Sequence, residues 1–251
     1  MTLHHFFVRQ ENINFPRAII RGPENHHLYR VLRLRKGEKV RIFNENNELF
    51  AGIVKEASPR QTVVLLEKTI DPATAETLNV ALVVAQACLK AKQMDWLIKR
   101  LTELRIASFI PLLTRRTVVR LERGAADKIK RWQRQAIQAA KQCQSPLVPQ
   151  IRPPSKLADF LALRPEEIKY YLSERGGKVL REMLLGDCFP GVKNKPGSAV
   201  VCIGPEGGWE EEEEELLQTA GFQPVSLGRG ILRAETASLV AASILAHFWN
   251  A

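Results

Sequence analysis

The chain is poor in cysteine. Its 251 residues include only Cys88, Cys143, Cys188 and Cys202, far apart and never in Cys-x-x-Cys spacing. That argues against a disulfide framework and a structural zinc site, and makes a reducing cytoplasm the natural compartment. Cys88 and Cys202 lie in apolar contexts and read as small core residues rather than nucleophiles. No apolar run reaches the roughly 18 residues of a membrane span, and no signal-peptide pattern opens the chain, so no membrane partner is expected. Internal repeats are lacking, and the one low-complexity tract is Glu210–Glu215. No loop has the GxGxxG fingerprint of a dinucleotide site or is followed by a P-loop lysine.

What the chain does have is positive charge, a net +10. This balance suits an anionic partner. Residues 1–70 hold 12 Lys and Arg against seven Glu, half of the whole excess in little more than a quarter of the length. Such a concentration is expected of an element that docks on phosphate backbone, although a merely soluble basic surface would read the same way. Short strand-like pieces recur here. Glu38–Phe43 and Glu48–Lys55 flank the hairpin loop Asn44–Asn47, Gln61–Lys68 is a further strand, and His26–Leu34 reads as a short basic helix with Val31, Leu32 and Leu34 inward. Many short strands in a small region indicate a compact β-barrel. The polar stretch Asp71–Thr77 makes a domain boundary, giving 1–72 and 73–251.

Past the boundary, strands and helices alternate, the signature of a parallel α/β sheet. Leu78–Ala85 is an apolar strand, and Lys92–Leu104 an amphipathic helix with Met94, Leu97, Ile98, Leu101 and Leu104 on one face. Phe109–Leu113 leads to Thr114-Arg115-Arg116-Thr117. Lys128–Lys141 is helical, with Ile129, Trp132, Ala136 and Ile137 inward and Lys128, Lys130, Arg131 and Arg134 outward. Ile168–Leu172 is a strand, followed by a third loop, Ser173–Gly177, placed to border a ligand crevice. Periodicity alone gives an unknotted doubly wound sheet, because true knots are very rare.

The most informative stretch is Ala199–Ala237. A buried-type strand, Ala199–Ile203, ends in Gly204-Pro205-Glu206-Gly207-Gly208, whose glycines let a ligand approach the backbone closely. A helix follows from about Trp209 and closes at Gly221. A second strand, Phe222–Leu227, ends in Gly228-Arg229-Gly230-Ile231-Leu232-Arg233, and a last apolar helix runs from Ala234 to Phe248. The pattern places both loops at the carboxyl ends of neighbouring parallel strands, where open α/β sheets bind ligands. Six glutamates at a helix start would repel a phosphate, so a ligand with a positive centre fits better. A tight connection followed by a solvated Glu face is the plainer alternative.

GPEGG after an apolar strand, followed by LGRGILRAETA, resembles the bacterial 16S ribosomal RNA uridine-N3 methyltransferase family of the SPOUT superfamily. HHFFV (His4–Val8), HHLYRVLRLRKGE (His26–Glu38), KAKQMDWLIKRLTEL (Lys90–Leu104) and PLLTRRTVV (Pro111–Val119) extend the resemblance over nearly the whole chain. It departs from the family pattern at Arg229-Gly230, at Arg105-Ile106, where a Gly-Val pair is usual, and over Ala139–Ser145. The resemblance implies an N-terminal PUA-like RNA-binding barrel and a C-terminal parallel sheet with helices on both faces and a trefoil knot. It also implies S-adenosylmethionine as methyl donor without a metal, and 16S ribosomal RNA as partner, free or within the small ribosomal subunit. A homodimer through Ala234–Trp249 is implied as well.

The cofactor contacts it implies are Leu172, Ile203, Gly204, Glu206, Gly207, Gly208, Leu227, Gly228, Ile231 and Leu232. Uridine N3 carries a proton at neutral pH, so its methylation needs a base or a cation that stabilises the anion. Glu235 as proton acceptor or orienting group and Arg233 as substrate or anion stabiliser meet that need; a structural Arg–Glu pair is the alternative. Arg9, His27, Arg30, Arg33, Arg115, Arg116 and Arg229 are the RNA-contact candidates. Two rival functions stay open on the residues alone: a SPOUT enzyme acting on ribose 2′-oxygen or another base, and a non-catalytic RNA-binding factor.

Overall fold

The computed structural model describes residues 3–70, 80–118, 124–162, 165–188 and 196–250. It divides into two units, Met1–Thr77 with Ala140–Val148, and Leu78–Ala139 with Pro149–Ala251. The expected boundary Asp71–Thr77 lies outside the described residues.

In the first unit, β1 (His4–Phe7), β2 (Ile13–Asn14), β3 (Arg17–Arg21), β4 (Lys39–Phe43), β5 (Leu49–Ala57) and β6 (Gln61–Ile70) form one sheet in the order β1-β4-β5-β6-β3-β2. All its pairings are antiparallel except β1 with β4. Alternation along these strands turns Ile20, Val40, Ile42, Val54 and Val64 into a common core with Phe6 and Leu28. The β4–β5 loop is built as its Asn-rich sequence suggests. The Asn44 side chain accepts the Asn46 and Glu48 N–H groups, and Asn47 takes φ +60. The expected helix over His26–Leu34 is displaced. A short helix, α1 (Gly22–His26), starts at Gly22-Pro23 and widens into a π turn over His27–Val31, with Leu32 N–H bonded to the His27 carbonyl. That extra residue rotates Val31 outward, leaving it 58% exposed, whereas Leu34 is buried.

The second unit contains β7 (Ala81–Ala87), α2 (Ala91–Glu103), β8 (Ser108–Leu113), α3 (Ala125–Gln142), β9 (Gln150–Ile151), β10 (Ser155–Lys156), α4 (Leu157–Leu161) and β11 (Ile168–Leu172). It continues with β12 (Lys178–Val179), α5 (Leu180–Cys188), β13 (Ser198–Ile203), α6 (Glu211–Thr219), β14 (Gln223–Ser226) and α7 (Ala234–Asn250). Its sheet is parallel at every pairing, ordered β10-β8-β7-β13-β11-β14-β12 with β9 also against β8. Val83, Ala85, Val200 and Cys202 meet Leu157, Phe160 and Leu217 of α4 and α6 on one face. The alternate residues Leu82, Val84, Val201 and Ile203 are buried as well, as strands covered on both sides require. α7 packs on α2, β7 and β13. From the β14 side the chain therefore returns past β11 and β13, the path on which the implied knot depends.

Two local differences have physical causes. The outward face expected for α3 is incomplete, because the Arg131 guanidinium bonds Asp95 Oδ1 at 2.8 Å and shares that oxygen with the Trp132 indole. At the end of α2, Arg105 takes φ +59 while Ile106 N–H bonds the Leu101 carbonyl. This is the left-handed helix stop that glycine usually fills, here occupied by arginine.

Candidate active site

β11, β13 and β14 all end at the same edge of the sheet, and the loops that leave them enclose a cavity of about 490 Å³. The two glycine-rich loops do not leave adjacent strands, contrary to the sequence expectation, because β11 lies between β13 and β14. Its own loop, Ser173–Gly177, therefore forms the middle of the wall. All ten residues expected at the cofactor line this cavity: Leu172, Ile203, Gly204, Glu206, Gly207, Gly208, Leu227, Gly228, Ile231 and Leu232. Trp209 forms part of the floor and anchors it, its indole N–H donating to the Leu172 carbonyl at 2.9 Å.

The glutamate tract is more than a solvated face. Glu210 caps α6 in a reciprocal capping box with Glu213, which is 3% exposed. Glu213 also accepts the Arg115 backbone N–H at 2.9 Å, and Glu214 accepts the Ser173 hydroxyl at 2.8 Å. The Arg115 side chain pairs with Glu212. Arg116 grips both carboxylate oxygens of Glu210, at 2.7 and 3.0 Å, and donates to the Gly207 carbonyl at 2.6 Å. Hydrogen bonding to Arg116 holds the Glu210 carboxyl below the usual carboxylate range and raises the guanidinium in turn. Two of the expected RNA contacts, Arg115 and Arg116, are thus engaged within the protein, and they offset two of the tract's six negative charges.

Arg233 and Arg229 are exposed on the cavity rim with Arg175. Among the described residues no ion pair joins Arg233 to Glu235. Glu235 turns instead to α2, where Gln93 Nε2 donates to its Oε1 at 3.2 Å, while Oε2 is buried without a partner. In the first unit Arg9 makes a loose 3.8 Å pair with Glu11, and Arg30 lies over the Tyr29 ring. His27, Arg30 and Arg33 are exposed. Partial desolvation, helped by the nearby Lys141, lowers the His27 pKa from its ordinary value. Cys88 is buried, and desolvation pushes its thiol up to about 12, which fits an inert core residue.

The cavity suits a zwitterionic nucleoside of net positive charge. Its volume lies in the range of small-ligand sites, and Leu172, Ile203, Leu227 and Leu232 offer apolar walls for a purine. Backbone groups of the two glycine loops are available for its polar edge. Glu174, Glu206 and Glu214 can face a cationic centre, and the rim arginines a carboxylate. Ile231 is 86% exposed in the wall, apolar surface that a ligand would cover.

Comparison with known proteins shows the family. A family described as RNA methyltransferase domain matches residues 76–246, and one described as RNA methyltransferase PUA domain matches residues 20–67. Ribosomal RNA small subunit methyltransferase E of Synechocystis is 34% identical, over 86% of this chain and 68% of that protein. The chain belongs to the ribosomal RNA small subunit methyltransferase E family. The member from Aquifex aeolicus is 28% identical over 98% of this chain and all of its own length. A solved member from Neisseria gonorrhoeae, bound to S-adenosylmethionine, is 28% identical with a TM-score of 0.80, covering 99% of this chain and 98% of that one. S-adenosylmethionine is the cofactor, and this chain is a methyltransferase of the α/β class with an N-terminal PUA-like domain. Among the described residues no helix is long and apolar enough to cross a membrane, and no cluster of potential metal ligands occurs.

Sequence reasoning puts the loop Ser173–Gly177 only at the border of the crevice, and misses Trp209 and Glu214 as wall residues. Only the run Ser173–Gly177 carries a signal, its paired glycines after a strand.

Proposed function

We propose that the chain methylates N3 of a specific uridine in 16S ribosomal RNA, acting as a cytoplasmic homodimer on the RNA, free or within the small subunit. The observation that carries this reading is the three-loop cavity with Arg233 on its rim, in a chain of this family. When bound, S-adenosylmethionine supplies an electrophilic methyl on a sulfonium. The residues of Ile203–Gly208 and Leu227–Leu232 hold it, so that alignment supplies much of the rate. Arg233 faces the uracil carbonyls and stabilises the anion left when N3 loses its proton. Glu235, one oxygen held by Gln93 and the other without a partner, is the proton acceptor or orienting group. N3 lies on the pairing edge of the base, so the target nucleotide must be unpaired or flipped out. Arg9, His27, Arg30, Arg33 and Arg229 are the RNA contacts, residues 1–72 form the RNA-binding domain and 73–251 the catalytic one. The apolar helix α7 is the dimer surface.

Deleting the gene tests this directly. Mass spectrometry of nucleosides from 16S RNA should show one 3-methyluridine lost and restored on complementation. Unchanged 3-methyluridine with loss of another methylated nucleoside would instead identify a different target atom.

A further inference from the structure

Two arginines at the end of β8 read from sequence as RNA contacts, yet each is engaged by the start of α6. Arg116 is the more constrained. Its Nε and Nη2 bind the two oxygens of Glu210, and its Nη1 bonds the Gly207 carbonyl within the GPEGG loop. Its aliphatic stem lies over Gly207, where an added Cβ would meet Cδ at 3.2 Å and Cβ at 3.5 Å. The neighbouring backbone is fixed by the same helix start, through the Arg115 N–H on Glu213. Arg116 itself lines the cavity. A planar guanidinium with three donors aimed at one carboxylate and one carbonyl is a geometric clamp, which an ammonium cannot reproduce.

We propose that Arg116 is a positioning residue for the methyl-donor site, latching the Gly207 carbonyl to Glu210 so that the GPEGG loop keeps its open, cofactor-receiving shape. The inference rests on the cavity being the S-adenosylmethionine site. The latch is partly exposed, with the Arg116 and Glu210 side chains 38% and 34% accessible. It therefore sets local loop geometry rather than global stability. The pairing also explains why Arg116 can sit beside a ligand of net positive charge: its charge is already matched by Glu210.

The test is calorimetric titration of S-adenosylmethionine into the wild type, Arg116→Ala, Arg116→Lys, Glu210→Gln and the exchanged pair Arg116→Glu/Glu210→Arg, with filter binding of 16S RNA fragments and melting temperature on each. Arg116→Ala and Glu210→Gln should weaken the cofactor about tenfold and raise its KM more than they lower kcat, with unchanged melting temperature. Arg116→Lys should stay weakened, the exchanged pair, which restores neither the bond to the Gly207 carbonyl nor the cap of α6, should not recover affinity, and RNA affinity should be unaltered throughout. Equal cofactor affinity in wild type and Arg116→Ala overturns the latch. So does a loss confined to RNA affinity, which would make Arg116 an RNA contact. A wild type that binds no S-adenosylmethionine overturns the functional reading itself, a different outcome from either.

Discussion

Glu235→Gln and Arg233→Ala each keep S-adenosylmethionine affinity within about twofold and lose turnover by roughly 10²–10⁴-fold, the range for removing a general base or an anion-stabilising donor. The split follows for Arg233 from its place on the cavity, and for Glu235, which does not line the cavity, from its buried unpartnered oxygen. Arg233 is exposed at the cavity rim, free of any ion pair among the described residues, and so is available to a substrate rather than to the fold. Glu235 is held from one side by Gln93 and has an oxygen with no partner, which in a water-poor setting is costly unless something donates to it. Glutamine preserves the shape and the contact with Gln93 but cannot take a proton. Single-turnover methylation with labelled donor, beside calorimetric titration, separates the two quantities. Wild-type rates in both variants would remove these residues from the chemistry.

The second large effect is on stability. Gly177 takes φ +118, and a Cβ there would lie 2.6 Å from the Pro224 carbonyl oxygen and 2.9 Å from the Val225 nitrogen. Both are backbone atoms of β14, which is paired with β11 on one side and β12 on the other, so neither can give way cheaply. Gly177→Ala should therefore cost about 2–4 kcal/mol, combining an unfavourable φ with a backbone clash. For a chain of this size that is a fall of roughly 5–15 °C in melting temperature. Gly176→Ala is the control, since nothing lies within 4 Å of the point its methyl would occupy and no positive φ is required. Thermal denaturation followed by circular dichroism should show a large shift for the first and almost none for the second; equal shifts would contradict the tight β14 contact.

Much of this fold is legible because its signals are local. An apolar run followed by GPEGG is a strand and a ligand loop whatever surrounds it, and the nine residues expected from the C-terminal motifs line one cavity with Leu172. Strand order is not local. Nothing in residues 168–172 says that they lie between β13 and β14, so sequence pattern puts the glycine loops on neighbouring strands and Ser173–Gly177 no nearer than the border. The π turn at His27–Val31 is hidden for a related reason. A single widened turn changes which of Val31 and Leu34 faces inward without changing composition. Charge runs are the least readable feature. Arg116 and Glu210 are 94 residues apart, and each alone looks like a surface charge. Only the fold makes them a pair.

Hydrogen exchange measured with and without S-adenosylmethionine bears most directly on the three-loop site. Bound donor should slow exchange in 172–177, 203–209 and 227–233 together, and leave the strands of the N-terminal unit unchanged. Saturable binding that protects some other segment, with these three loops exchanging as before, would contradict the account.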